Sequence, residues 1–316
     1  MSAPALAVDR VRAERWRIAG RRARTFAGRF VHRTDGVIGL VILLAFAVLA
    51  TFPELFVGKL ETAVTASGVR LSAPSAGHIF GLDEIGRDML NLTVHGARIS
   101  MAIGLMATLI TIVVGAVVGI VAGYLGGVVD TALMRLCDFF LVLPTLVLAI
   151  ILAPVVLDVI GADAELFGIR ATLIVIVVVI GLTSWATTAR IIRSQVLSLK
   201  QRMFVDRARV IGAGSGHIMR RHILPNVINL IVAQSVLTFA TAVFTETTLA
   251  FIGLGDPFAP SWGEILNSAQ GSGAPGLGAW WYIVPPATCV VLVVLAFTLV
   301  GNALDDILNP KSGARR

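Results

Sequence analysis

Long runs with almost no charge, such as GVIGLVILLAFAVLATF from Gly36 and ATLIVIVVVIGLTSWATTA from Ala171, constrain this chain more than any motif does. About 20 apolar residues in a helix span a hydrocarbon core of about 30 Å, and such runs do not suit one or two soluble domains. With 56% hydrophobic and 14% charged residues, the composition points the same way. Hydrophobic length read against turn residues gives six spans, near residues 36–52, 97–123, 130–154, 171–192, 227–252 and 283–304. The expectation is an all-α integral membrane protein with six transmembrane helices.

A net charge of +7 is compatible with nucleic-acid binding, but the placement of the basic residues argues against it. Nine arginines fall in the first 35 residues, and eight basic residues fall between Arg190 and Arg221. The positive-inside rule puts both segments in the cytoplasm. The segments 53–95, 155–170 and 253–282 then lie outside, and 193–226 and the tail from Asp305 lie inside. The 253–282 segment holds Asp256 and Glu264 but no Lys or Arg, in keeping with that orientation. The chain so divides into a basic tail (1–35), a first helix (36–52), an extracytoplasmic segment (53–95), a five-helix transmembrane domain (96–305) and a short tail (306–316). The first apolar run is long for a signal peptide and lacks a small-residue cleavage site, so a retained anchor is expected.

Within the spans, Arg135, Asp138 and Pro144 interrupt the third, and Arg135 and Asp138 share a helix face on which they can neutralise each other. Gly115, Gly119 and Gly123 form two overlapping GxxxG steps that let helices approach closely. Glu246 is the most isolated carboxylate inside a span; such a group faces the interior, lining a pathway or joining helices. Cys137 and Cys289 lie in apolar runs and read as buried thiols. There is no GxxxxGK[ST] phosphate loop, no GxSxG elbow and no metal-ligand spacing among the five histidines. The chain reads as a non-enzyme without a cofactor or metal of its own.

The segment 198–226, SLKQRMFVDRARVIGAGSGHIMRRHILPN, is too long and patterned for a plain connector. It reads as helix, Gly break, helix. Phe204, Ala208 and Ile211 can line one face of the first piece, with Arg202, Asp206 and Arg209 elsewhere. Gly212, Gly214 and Gly216 interrupt it, Ile218 to Leu224 resume it, and Pro225 ends it. Such an elbow suits a groove in a partner protein, while its charge alone would also let it lie on anionic lipid.

This loop resembles the EAA motif of ATP-binding-cassette (ABC) importer permeases: Glu-Ala-Ala, three residues, Gly, nine residues, then Ile-x-Leu-Pro. Asp206, Arg207 and Ala208 take the first three places, Gly212 the glycine, and His222, Ile223, Leu224 and Pro225 the end. Asp206 keeps the carboxylate of the usual Glu on a shorter stem, and Arg207 departs from the usual Ala. The ending RHILPN is similar to the dipeptide, oligopeptide and nickel branch. FGLDEIGRDMLNLTVHGARISM from Phe80, FIGLGDPFAPSWGEILNSA from Phe251 and the final segment from Ala279 to Pro310 resemble the same branch, its second permease in particular. Asp83, Glu84, Arg87 and Asp88 in the first of these read as a hydrogen-bonded turn leading into the second span.

The resemblance implies a type I ABC importer permease fold with a cytoplasmic coupling helix, in a bacterial cytoplasmic membrane with both termini inside. It assigns coupling to Phe204, Asp206, Arg207, Ala208, Gly212, Leu224 and Pro225, and makes Glu246, Phe251 and Trp262 pathway or gate candidates. Implied partners are a second homologous permease, two ATPase subunits or domains that hold ATP and Mg, an extracytoplasmic binding protein and membrane lipid, but no nucleic acid. The cargo class implied is peptides or a similar small solute. A secondary transporter or channel is the alternative; internal repeats and midplane carboxylates would mark it, and the long loop has no use in it.

Overall fold

A computed structural model describes residues 28–308, apart from 67, 162, 163, 167 and 168. The arginine-rich tail through residue 27 and the last eight residues lie outside that range. Helix α1 (Thr34–Thr51) is followed by the short α2 (Pro53–Val57), and α3 (Met89–Leu125) runs for 37 residues. At 1.5 Å per residue α3 is roughly 55 Å long, so it outreaches a hydrocarbon core of about 30 Å. Asp88 caps its start by accepting from the Leu90 and Asn91 N–H groups at 2.7 and 3.3 Å. Ahead of it, Asp83 accepts from the Ile85 and Arg87 N–H groups and from Arg87 Nε at 2.6 Å. The 83–88 cluster is therefore a hydrogen-bonded turn, as its charges suggested.

The third span is not straight. Helices α4 (Gly127–Val142) and α5 (Thr145–Ile160) meet at 92° across Leu143 and Pro144. Proline disfavours helical backbone in the residue before it, and Leu143 is extended at ψ 129°. Each arm is roughly 24 Å long, too short to cross alone, so the pair amounts to a crossing only when both arms count as one span. With α1, α3, α6 (Ala171–Lys200), α9 (Leu224–Leu249 with its flanking turns) and α11 (Val284–Leu308), the described residues supply six crossings when that pair counts once. A two-residue antiparallel pair, β1 (Glu165–Leu166) and β2 (Ile169–Arg170), joins α5 to α6.

The pairing expected between Arg135 and Asp138 does not form. Asp138 instead accepts from Arg190 of α6 at 2.5 Å, and Asp130 holds Arg193 at 2.5 and 2.7 Å. Asp138 faces α6, whereas Arg135 is exposed. Both ion pairs tie α4 to α6 near the end that carries the 198–226 loop.

Close approach of α3 and α6 builds the centre of the bundle. A Cβ on Gly115 would sit 2.7 Å from Thr188 Cβ, one on Gly119 2.6 Å from the Ala189 carbonyl, and one on Gly123 2.9 Å from Val196 Cβ. The GxxxG steps are therefore the contact itself. On the other flank α9 packs on α11 through the stacked Phe239 and Phe297 rings, 3.9 Å apart, and Gly39 of α1 meets the Ala296 carbonyl of α11. Cys137 is fully buried and Cys289 partly so, both as free thiols.

Candidate functional site

The 198–226 loop folds into a stalked elbow. Helix α7 (Met203–Val210) follows α6 after a two-residue break, and it buries Val205 and Ala208. These two side chains join a cluster with Ile120 and Tyr124 of α3, Ile192 and Val196 of α6, and Ile223 and Val227 beyond the elbow. The buried face is therefore not Phe204, Ala208 and Ile211: Ile211 is 83% exposed and Phe204 is on the rim. Val205 and Ala208 are three apart and share a face, whereas Ile211 has left the helix as its C-cap.

Helix α7 ends by closing two backbone hydrogen bonds around Gly212. The Ala213 N–H donates to the Ala208 carbonyl at 3.0 Å and the Gly212 N–H to the Arg209 carbonyl at 2.9 Å. This is a Schellman cap, and it puts Gly212 at φ +84°. A Cβ there would meet nothing within 4 Å, so backbone conformation rather than crowding calls for glycine.

Beyond the cap, α8 (Ser215–Ile218) passes through a π-helical turn, Met219–Ile223, into α9. Pro225 does not end the helix as its sequence position suggested. The wider turn, with the Leu224 N–H reaching back to the Met219 carbonyl, shifts the register, and Pro225 sits in the first turn of α9 where a missing N–H costs least.

The remaining loop residues point outward. Asp206 pairs with Arg209 at 3.3 Å across an exposed i,i+3 step, and Arg207, Leu224 and Pro225 are exposed. Met203, Val210 and Ile211 form an exposed apolar edge beside them, Val210 at 86%. Sequence reasoning missed Met203 and Val210, although their spacing from Arg207 and Asp206 on a short helix was legible.

A second cluster forms at the opposite end of the bundle, around α10 (Trp262–Gly271). The chain leaves α9 through a π-helical turn, Ala250–Leu254, broken at Gly253 with φ +95°. Ser261 caps α10 by accepting from the Glu264 N–H at 3.2 Å. Trp262 is fully buried; its ring N–H donates to the Thr93 carbonyl at 2.9 Å and its backbone N–H to Ser100 Oγ at 3.1 Å. Its ring meets Phe46 of α1 edge-on at 5.7 Å.

Glu246 is fully buried among Ser100, Thr247 and Ser261, with one carboxylate oxygen left without a hydrogen-bond partner. The structure therefore brings Glu246 and Trp262 to one place, around Ser100, while Phe251 is 43% exposed on another flank. Ser100 and Ser261 escaped the sequence reading, since isolated serines carry no local signal. Glu264 is nearly buried, and burial together with the nearby Asp256 and Glu84 charges pushes its carboxyl up to about 6. Among the described residues no three His, Cys, Asp or Glu side chains gather to hold a metal.

Residues 115–313, which carry the elbow and the helices around it, match the family of the binding-protein-dependent transport system inner membrane component. The chain belongs to this family of ABC transporter permeases. It is 36% identical to a putative peptide permease protein of Brucella ovis, over 90% of each chain. It is 37% identical to the dipeptide transport system permease protein of Bacillus subtilis, over 75% of this chain and 70% of that one. It is 34% identical to the oligopeptide transport system permease protein of Escherichia coli, over 90% and 89%. The family's members are multi-pass membrane permeases and not enzymes.

Proposed function

We propose that this permease forms half of the translocation pathway of an ABC importer for peptides. The names of the three relatives are those of a putative peptide permease, a dipeptide transport system permease and an oligopeptide transport system permease. The assembly would contain a second homologous permease, two ATPase subunits or domains holding ATP and Mg, and a substrate-binding protein on the outer face. The chain would lie in a bacterial cytoplasmic membrane with both termini and the 198–226 loop inside.

The observation that carries the coupling role is the two-faced α7. Val205 and Ala208 lock it to α3, α6 and α9, so a push on α7 is delivered to three spans. Its opposite edge leaves Met203, Val210 and Ile211 in solvent beside Asp206 and Arg207. Exposed apolar side chains rimmed by charge mark a docking surface for a protein groove. Closure of the ATPases would move α7 and rock the bundle, opening the pathway outward. Glu246, packed among Ser100 and Ser261, would tie α9 to α3 and to the start of α10 and so set the outer end of the pathway.

The test is co-purification with the ATPase partner and substrate-stimulated hydrolysis. Val210→Glu and Asp206→Lys alter only the exposed edge, so the permease should insert normally while ATPase association falls at least tenfold. Normal association and uptake in both variants would refute the docking assignment.

A further inference from the structure

An open cleft of about 860 Å³ separates α3 from the second limb of the elbow. Val117, Val121 and Leu224 supply apolar wall, while His217, Arg220 and Arg221 stand at the rim. Asp130, Asp138 and Asp206, the carboxylates of α4 and α7, are taken by Arg193, Arg190 and Arg209. Arg220 and Arg221 are exposed and, among the described residues, have no carboxylate partner. Two adjacent cations are therefore unneutralised at the edge of an apolar trough.

The trough has depth as well as charge. Ala116 lies nine residues before Leu125, the end of α3, so the apolar wall reaches roughly 14 Å from that end toward the hydrocarbon layer. A soluble anion uses only the rim, whereas an amphiphile with a negative head and apolar tails uses rim and wall together. This complementarity in charge and depth selects the occupant.

We propose that the cleft between α3 and the Ser215–Leu224 limb binds an anionic phospholipid, with its phosphate against Arg220 and Arg221 and its acyl chains along Val117 and Val121. The elbow then has two limbs with separate tasks. The Met203–Ile211 limb meets a protein, and the Ser215–Leu224 limb is moored to the inner leaflet. The mooring gives α7 a fixed fulcrum where the π-helical turn enters α9.

The full chain in nanodiscs of phosphatidylcholine doped with phosphatidylglycerol of the same acyl chains, read by lipid retention in native mass spectrometry, tests this. Wild type should retain phosphatidylglycerol in preference to phosphatidylcholine. Arg220→Gln/Arg221→Gln should lower that preference about 30-fold, the equivalent of about 1 kcal/mol for each cation. Arg220→Lys/Arg221→Lys should restore most of it, which guards against misfolding of the neutral variant. Val117→Trp/Val121→Trp, which fills the wall and leaves the charges, should also lose it.

Equal preference in wild type and the double Gln variant would overturn the proposal. So would displacement of the lipid by inorganic phosphate, which would mark a rim-only anion site. Protein cross-linking from a cysteine at position 121 in the assembled transporter would do the same, by showing that a second permease covers the cleft. Val210→Glu should leave lipid retention in the isolated chain unchanged, so failure of the ATPase contact and failure of the lipid site are told apart.

Discussion

Arg170 donates to the fully buried Asp256 carboxylate at 3.1 Å and lays its guanidinium 4.3 Å from the centre of the Phe258 ring. The pair joins the strand hairpin before α6 to the segment between α9 and α10, which sequence places 86 residues apart. The other Asp256 oxygen has no partner, so the guanidinium is the main compensation for a buried charge. Arg170→Ala should destabilise the outer end by about 2 kcal/mol, below the usual cost for a fully buried pair because Arg170 is about one-third exposed. Asp256→Asn in the Arg170→Ala background should recover part of the loss. Protease nicking of the 253–262 segment, measured for both variants, checks this.

Gly212 can be separated from crowding. Because a Cβ there meets nothing within 4 Å, Gly212→Val should cost only the strain of φ +84°, about 1–2 kcal/mol, and the chain should still insert. ATP hydrolysis should then uncouple from uptake. A loss of membrane insertion would show instead that the cap is needed for folding.

Gly119 should behave in the opposite way. Its Cβ would lie 2.6 Å from the Ala189 carbonyl, a backbone atom that cannot swing aside. Gly119→Val should force α3 and α6 apart and lower the yield of folded protein severalfold. Gly216→Ala, placed in open space, should leave yield unchanged, and detergent-solubilised yield by size-exclusion chromatography compares the two.

Glu246 is fully buried beside three hydroxyl residues. Glu246→Gln keeps the shape and one acceptor oxygen and should preserve assembly, whereas Glu246→Leu takes the acceptor away from the Ser100 and Ser261 hydroxyl hydrogens and should cost about 1–3 kcal/mol. Thermal unfolding of the detergent-purified variants distinguishes them. Equal stability of both with wild type would leave the carboxylate without an interhelical role.

Glu264 gives a pH dependence with a definite sign. Its folded carboxyl titrates at about 6, above the ordinary 4.5, so the folded state holds the proton more tightly than the unfolded chain. Stability contributed by this group falls as pH rises from about 4.5 to 6, by up to about 2 kcal/mol. Glu264→Gln should flatten that part of the profile and stabilise the chain above pH 6. Unfolding temperatures measured at pH 5 and pH 7 provide the comparison. A larger pH dependence in the variant would contradict the assignment.

Much of this protein is written in local sequence. Apolar length alone locates the spans, because lipid leaves a backbone no partner but itself and helices are the local way to satisfy it. Gly115, Gly119 and Gly123 announce a close helix contact, and Asp206 to Pro225 announce the elbow, since both are short-range patterns. The 92° break at Leu143 was signalled by Pro144, but its angle was not. Which face of α7 turns inward, which arginine takes Asp138, and that Glu246 meets Trp262 at Ser100 were decided only by the tertiary structure. These depend on packing between segments far apart in the chain, such as Ser100 and Trp262, 162 residues apart. Side-chain reach and burial choose among partners there, and spacing along one helix carries no record of what another helix presents to it.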